Sequence, residues 1–276
     1  MIPRAVRVLG LSACFCAVLL LLSSCATLSG MGVGRVRRYD VVSERLPKNF
    51  DGFKIAFISD THYPSLFTKK RLGKLLRKLR SEELDLFLLG GDYVTSARHY
   101  TELFDSLSSV ETAHGIYAVP GNHDFKWSEA CAEAMDASGV VALKDSAAYL
   151  SNNGEKIALV GVENPFAADS ATVSLAADIF ENYFTILLVH TPDYAQDIDT
   201  EADLVLAGHT HGGQVNLFGL YAPVTNSRYG MRFISGMNFT DSAVPVVTTN
   251  GVGTSRRRVR FCAPSEIVMI TLRTGE

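Results

Sequence analysis

The 276-residue sequence predicts an α/β chain built on two sheets, and three observations carry that prediction. Through the first half, continuous apolar runs alternate with a helical pattern, the grammar of βαβ units and of a sheet with helices on its outer face. After Gly139 short strand-like runs crowd together, as a second, more mixed sheet packed on the first requires. No linker-like break interrupts Tyr39 to Thr274, so a single domain over residues 39–276 holds both sheets.

Lys54 to Ser59 (KIAFIS) is a continuous apolar run bounded by Asp51-Gly52 and Asp60, and it reads as a buried strand. Thr68 to Arg80 places Leu72, Leu75, Leu76 and Leu79 at i, i+3, i+4 and i+7 among seven cations. That is an amphipathic helix with one face for a sheet. Its basic face has two readings, a solvated crossover helix or a surface that meets anionic lipid. Leu84 to Leu89 is the second strand and Ile116 to Val119 the third. The second sheet is expected to take Lys156 to Val160, Thr185 to Val189, Leu204 to Ala207, Val244 to Thr248 and Glu266 to Leu272.

Arg4 and Arg7 precede fifteen uncharged residues, Val8 to Leu22, and then Ser23, Ser24 and Cys25. This is the layout of an export signal over residues 1–25. At 1.5 Å per residue the apolar run spans about 23 Å, short of a hydrocarbon core of about 30 Å. Leu22-Ser23-Ser24-Cys25 resembles a bacterial lipoprotein signal, in which the cysteine becomes the lipidated first residue of the mature chain. An exported, membrane-anchored protein follows. The alternative is an uncleaved anchor with a cytoplasmic body, because Arg35, Arg37 and Arg38 balance the charges on the other flank. Ala26 to Arg38, rich in Gly and Ser, reads as a flexible tether.

With 26 Lys and Arg against 29 Asp and Glu the chain carries −3, and without residues 1–24 it carries −5 (24 against 29). That balance argues against nucleic acid as a partner, because binding a phosphate backbone needs a basic face. Beyond residue 25 the cysteines are Cys131 and Cys262; they could pair after export, but two separate buried thiols is the favoured reading.

Five of seven histidines fall in short motifs placed directly after strands. These are Asp60-Thr61-His62, Gly90-Gly91-Asp92, Gly121-Asn122-His123-Asp124, His190, and Gly208-His209-Thr210-His211. Strand ends are where open α/β sheets gather ligand-binding groups. Asp60 and His62 are two apart, so an extended backbone points both to one side, and the same holds for His209 and His211. Gly90-Gly91 and Gly121 allow sharp turns that bring Asp92 and Asn122 close to partners. Asp60, His62, Asp92, Asn122, His190, His209 and His211 make seven candidate metal ligands. Seven is too many for one tetrahedral ion and suits two ions sharing a bridge. Mixed oxygen and imidazole donors without thiolate suit Mn, Fe, Zn or Co rather than Ca. His99 and His114 belong to no motif and read as surface or helix-end residues.

In this order the motifs resemble the calcineurin-like metallophosphoesterase superfamily. Gly208 to Gln214 (GHTHGGQ) and Gly251 to Ile267 (GVGTSRRRVRFCAPSEI) are similar to its branch of small bacterial membrane-associated phosphodiesterases. The resemblance covers about Tyr39 to Leu272. It implies a four-layer α/β/β/α sandwich of two mixed sheets flanked by helices, with the site at the strand ends. It implies that Asp60, His62 and His211 hold one divalent metal, that Asn122, His190 and His209 hold the other, and that Asp92 bridges them. His123 takes the place of the family's general acid or phosphate-binding histidine, with Asp124 orienting it. Arg256-Arg257-Arg258 is unusually basic for the corresponding loop, which fits either an anionic substrate or a solvated turn.

The expected activity is metal-dependent phosphoester hydrolysis. Two cations neutralise the non-bridging oxygens and activate a water for in-line attack, and His123 protonates the leaving oxygen. The expected substrate is a phosphodiester or phospholipid-like headgroup at a membrane surface. The alternative is pyrophosphate hydrolysis in a lipid-linked nucleotide sugar, as in the similar UDP-2,3-diacylglucosamine hydrolases, which requires a cytoplasmic site. A non-catalytic metal-binding lipoprotein is the remaining reading.

Overall fold

Residues Ile55 to Ile58 are buried on both sides, because a second sheet covers one face of their strand and helices cover the other. The fold is described from a computed structural model for residue 16 and residues 32–65, 67–163, 166, 178–198 and 200–275. Its first half comprises β1 (Arg35–Ser43), β2 (Lys54–Ile58), α1 (Lys69–Leu79), β3 (Leu86–Leu89), α2 (Tyr100–Leu107), β4 (Ile116–Ala118), α3 (Ser128–Ala137) and β5 (Val141–Ala142). The second comprises β6 (Ser146–Asn152), β7 (Glu155–Gly161), β8 (Thr185–Leu188), α4 (Asp193–Asp197), β9 (Leu204–Ala207), β10 (Gly236–Phe239), β11 (Pro245–Thr248) and β12 (Glu266–Thr274).

The first sheet runs β1-β12-β2-β3-β4-β5 and the second β10-β11-β9-β8-β7-β6. β2 to β5 are parallel, as are β7, β8, β9 and β11. Alternation along each strand assigns its two faces. Ile55 and Phe57 of β2, Leu86 and Leu88 of β3, Ile186 and Leu188 of β8, and Leu204 and Leu206 of β9 fill one cluster between the sheets. Ala56, Ile58, Phe87 and Leu89 turn to the other side and pack with Leu72, Leu75 and Leu79 of α1 and Leu103, Phe104 and Leu107 of α2. On the far side, Leu187 and Val205 pack with Tyr194 and Ala195 of α4. The result is the four-layer α/β/β/α sandwich. Each fully buried aliphatic or aromatic side chain contributes about 1.5–3 kcal/mol, so these three layers of apolar contact hold the strand ends in place.

Three expectations need correction. The strand at Glu266–Thr274 does not join the second sheet; β12 inserts into the first, antiparallel to β2 and parallel to β1. The tether ends earlier than Arg38, because Arg35 to Arg38 already belong to β1. That strand is an edge whose cations face a buried acid, with Arg35 3.3 Å and Arg37 3.9 Å from Glu266, so its sequence lacks an apolar period. Cys131 and Cys262 are both free, and whereas Cys131 is buried, Cys262 is exposed.

Helix α1 matches its expected bounds to one residue at each end, with Thr68 as the capping position. Among the described residues no helix is long and apolar enough to cross a membrane. Apart from Cys16, the expected signal over residues 1–25 lies outside the described residues, as does the tether before Gly32.

Candidate metal centre

Each motif sits just beyond the carboxyl end of a parallel strand. Asp60 and His62 follow β2, Asp92 follows β3, Asn122 and His123 follow β4, His190 follows β8, and His209 and His211 follow β9. Three strands of one sheet and two of the other therefore deliver side chains to one place, at the carboxyl-end edge of the two facing sheets.

The local backbone is not extended. Asp60 (φ 57°), His62 (φ 44°), Asp92 (φ 58°), His209 (φ 69°) and His211 (φ 54°) are all left-handed. The pairing of residues two apart on an extended chain therefore does not apply, and His209 and His211 separate into different groups. A left-handed non-glycine residue costs of order 1–3 kcal/mol and persists only where its surroundings over-determine it. Here they do: Asp60 N–H donates to Gly91 O at 2.9 Å and His62 N–H to Asp92 O at 3.0 Å. His209 N–H donates to the Asp60 carboxylate at 3.0 Å.

Close approach of two loops explains two glycines. A Cβ on Gly91, itself at φ +93°, would lie 2.5 Å from Gly121 N. One on Gly121 would lie 2.3 Å from the Asp92 Oδ1 atom.

The seven side chains converge as two groups. Ligand atoms of Asp60, His62 and His211 lie within 4.8 Å of one another, and so do those of Asp92, His190 and His209. Asn122 Oδ1 joins the second at 3.2 Å from His190 Nε2. Asp92 Oδ2 stands between the groups, 3.6 Å from His62 Nε2 and 3.5 Å from His190 Nε2.

The donor chemistry fits two cations. The Asp60 Oδ1 atom is buried with no hydrogen-bond partner. His62 Nε2 lies 3.2 Å from His211 Nε2, and His209 Nδ1 lies 3.2 Å from His190 Nε2. Imidazole nitrogens gathered this closely around carboxylates are an arrangement that a shared cation stabilises. The His190 Nδ1 atom lies 2.6 Å from the Gly90 carbonyl, which can only accept, so Nδ1 carries the proton and Nε2 faces the group.

The electrostatics agree for two of the rings. Burial, reinforced by the neighbouring His190 charge, pushes His209 down to about 3, and burial holds His211 well below the usual imidazole range. Both are neutral donors. Burial opposes charge on His190 too, but the Asp92 and Asp60 carboxylates outweigh it and raise the ring to about 9, so His190 favours its charged form unless a cation takes the place of the Nε2 proton. Burial raises Asp60, with the Asp92 charge adding to the rise. Cations at this position would relieve that repulsion.

His123 and Asp124 part company. The His123 ring is about half exposed, its Nε2 3.9 Å from Asp92 Oδ2. It meets His62 edge-on with centroids 5.1 Å apart. Asp124 is fully buried and does not orient that ring, contrary to expectation. Its carboxylate accepts from Asp92 N at 2.8 Å, Gly121 N at 2.9 Å, Tyr93 N at 3.3 Å and Tyr100 Oη at 2.7 Å. Backbone amides outcompete the imidazole because the turn at Gly121 directs Asp124 inward, so Asp124 fixes the loop that carries Asp92.

Sequence reasoning missed Arg260. Its guanidinium is fully buried and donates to the carbonyls of His211 (2.9 Å), Ala263 (2.8 Å), Asn250 (2.5 Å) and Gly253 (2.7 Å). It ties the His211 loop to the segment after β11. Nothing in RRRVR distinguishes the last arginine from its exposed neighbours, so no sequence signal marked it.

Comparison of the sequence with known proteins identifies the family. The calcineurin-like phosphoesterase family model matches residues 53–213, more than half the chain. An uncharacterized metallophosphoesterase of Bacillus subtilis (strain 168), YkuE, is 29% identical over 243 residues, covering 86% of this chain and 84% of that protein. Phosphodiesterase YaeI of Escherichia coli (strain K12) is 29% identical over 247 residues, covering 85% and 88%. Among solved structures, the NAD nucleotidase NadN of Haemophilus influenzae aligns with a TM-score of 0.48 at 18% identity, over 73% of this chain and 51% of that one. With the family match and its two clusters of metal-capable side chains, the chain belongs to the calcineurin-like phosphoesterases and is a metal-dependent phosphoester hydrolase.

Proposed function

We propose that the protein hydrolyses a phosphodiester carried by a phospholipid-like molecule at a membrane surface. The observation that carries the reading is the pair of ligand groups joined by Asp92 at the strand ends, with the half-exposed His123 beside them. Asp60, His62 and His211 would hold one divalent ion, and Asn122, His190 and His209 the other, with Asp92 shared. Bound there, two ions supply neutralisation of phosphate charge and activation of water.

The chain's own residues do the rest. Asp92 is held rigid by Asp124, and its Oδ1 accepts the His123 amide at 2.8 Å, which places the imidazole at the mouth of the site. From there the ring can hand a proton to a departing oxygen. Similarity to phosphodiesterase YaeI supports a diester over a monoester. The apolar stretch Val8 to Leu22 followed by Ser23-Ser24-Cys25 supports a lipid-anchored, exported setting.

The test is a hydrolysis panel of a simple diester, a monoester, a phospholipid and a UDP-sugar lipid, with metal-stripped protein resupplied or not with Mn²⁺. Metal-dependent cleavage of the diester and the phospholipid is expected. Cleavage of the UDP-sugar lipid alone would favour a cytoplasmic pyrophosphohydrolase, and activity indifferent to stripping would overturn the reading.

A further inference from the structure

The arginine triplet Arg256-Arg257-Arg258 lies outside the metal centre, and its surroundings differ from those of a plain solvated turn. Beside it projects a loop whose tip is apolar: Phe218 is 70% and Leu220 84% exposed, and Leu217, Tyr221 and Val224 are exposed with them. Isolated exposed apolar residues are ordinary, but a contiguous group marks a contact surface.

The two segments form one unit. Asn216 N–H donates to Phe261 O at 2.9 Å, and Phe261 N–H to Gln214 O at 2.8 Å. The Gln214 side chain accepts from Ser255 N at 2.8 Å. The Phe218 ring sits 5.9 Å from that of Phe261. The tip is itself closed, with Leu217 N–H donating to Tyr221 O at 2.7 Å and Gly219 N–H to the Asn216 side chain at 2.7 Å. Among the described residues, no ion pair or hydrogen bond engages the guanidinium of Arg256 or Arg257, whereas that of Arg258 donates to the Ser65 carbonyl. On α1, by contrast, Lys69 is paired with Glu102 and Lys78 with Glu82.

The chain enters the body at this same end. β12 is antiparallel to β2 with Val268 opposite Phe57, which sets Glu266 level with Ser59, at the site. β1 starts there too, with Arg35 opposite Glu266. From Leu22, the last residue of the uncharged N-terminal run, to Gly32 are ten residue steps, at most about 36 Å of extended chain. Whatever holds that run therefore lies within reach of the site end and its loops.

We propose that the Leu217–Val224 loop and the Arg256–Arg258 turn form a docking surface for an anionic lipid bilayer. The apolar tip enters the interface while the arginines meet headgroup phosphates, the division of labour of interfacial membrane segments. The loop continues to Asn226, whose side chain donates to the His209 carbonyl at 3.4 Å, so docking sets the metal centre against the headgroup layer. This deepens the proposed function and rests on its membrane-surface reading.

The test uses the full chain with its single tryptophan removed (Trp127→Phe), reconstituted into vesicles of phosphatidylglycerol and brominated phosphatidylcholine. Emission from Leu220→Trp should fall by about half relative to unbrominated vesicles, as expected for an indole at interfacial depth. Emission from Tyr149→Trp, on the edge strand β6, should not. Adding Arg256→Glu and Arg257→Glu should abolish the quenching, with thermal melts reporting that each variant is folded. The proposal is overturned if Leu220→Trp is quenched no more than Tyr149→Trp. It is equally overturned if quenching ignores lipid charge and the Glu substitutions, or if a second copy of the chain covers the loop in solution and no quenching occurs. Hydrolysis of a water-soluble diester by the unsubstituted full chain is read separately. Activity without quenching defeats the docking surface alone, and quenching without activity defeats the proposed function alone.

Discussion

One carboxylate oxygen of Asp124 accepts the backbone amides of both Asp92, at 2.8 Å, and Gly121, at 2.9 Å. It thereby locks together the two loops that carry the shared aspartate and the Asn122-His123 pair. With all four donors to Asp124 in the interior, removing the acceptor leaves them unsatisfied, at about 1–3 kcal/mol each before relaxation. Asp124→Ala should lower the melting temperature and weaken metal retention, whereas Asp124→Asn, keeping one acceptor oxygen, should do less of both. Metal content after dialysis, read beside a thermal melt, checks this; an Asp124→Ala protein that keeps its metals and melts normally would contradict the positioning role.

His123 lies on the exposed side of the site and contacts the ligand groups only at their edge. His123→Ala should therefore retain metal while turnover falls by about 10²- to 10⁴-fold, the usual range for losing a general acid. A substrate with a better leaving group should recover part of the rate. Loss of metal equal to that of Asp92→Ala would show that His123 is a ligand instead.

The contact between the Gly91 and Gly121 turns leaves no room for a methyl group. Gly121→Ala sets a carbon 2.4 Å from Asp92 N, against backbone that cannot swing aside. Expected is a folded protein with displaced Asp92 and sharply reduced metal content, measured by elemental analysis. Unchanged metal content would mean that the loops are softer than this packing implies.

Arg260 holds four carbonyls around the His211 loop in a buried pocket. Replacing it with Met keeps volume but strands those acceptors, so Arg260→Met should destabilise the fold by about 2–4 kcal/mol. Denaturant unfolding measures it. A loss below about 1 kcal/mol, the size of an ordinary exposed pair, would show that water substitutes for the guanidinium.

Much of this was legible beforehand, for identifiable reasons. The apolar residues of KIAFIS, LDLFLL, TILLV and LVLA are buried on both faces, so they declare themselves as apolar runs, and the acids and histidines that follow them stand out by contrast. Edge strands do not declare themselves: β1 alternates arginines with partly exposed residues, and its place beside Glu266 depends on β12, more than two hundred residues away. The direction of the Asp124 side chain was likewise hidden, because two of the three amides it accepts, those of Asp92 and Tyr93, lie on another loop. The left-handed residues at the site escaped the alternation argument because tertiary hydrogen bonds hold the backbone there against its local preference.

The central claim is that the two groups on either side of Asp92 hold two ions. Elemental analysis of metal-stripped full-chain protein after titration with Mn²⁺ or Zn²⁺ tests it most directly. The account requires saturation at two ions per chain, with Asp92→Ala impaired at both positions and His62→Ala chiefly at one. Saturation at a single ion, or an Asp92→Ala protein that still binds two with undiminished affinity, would contradict it.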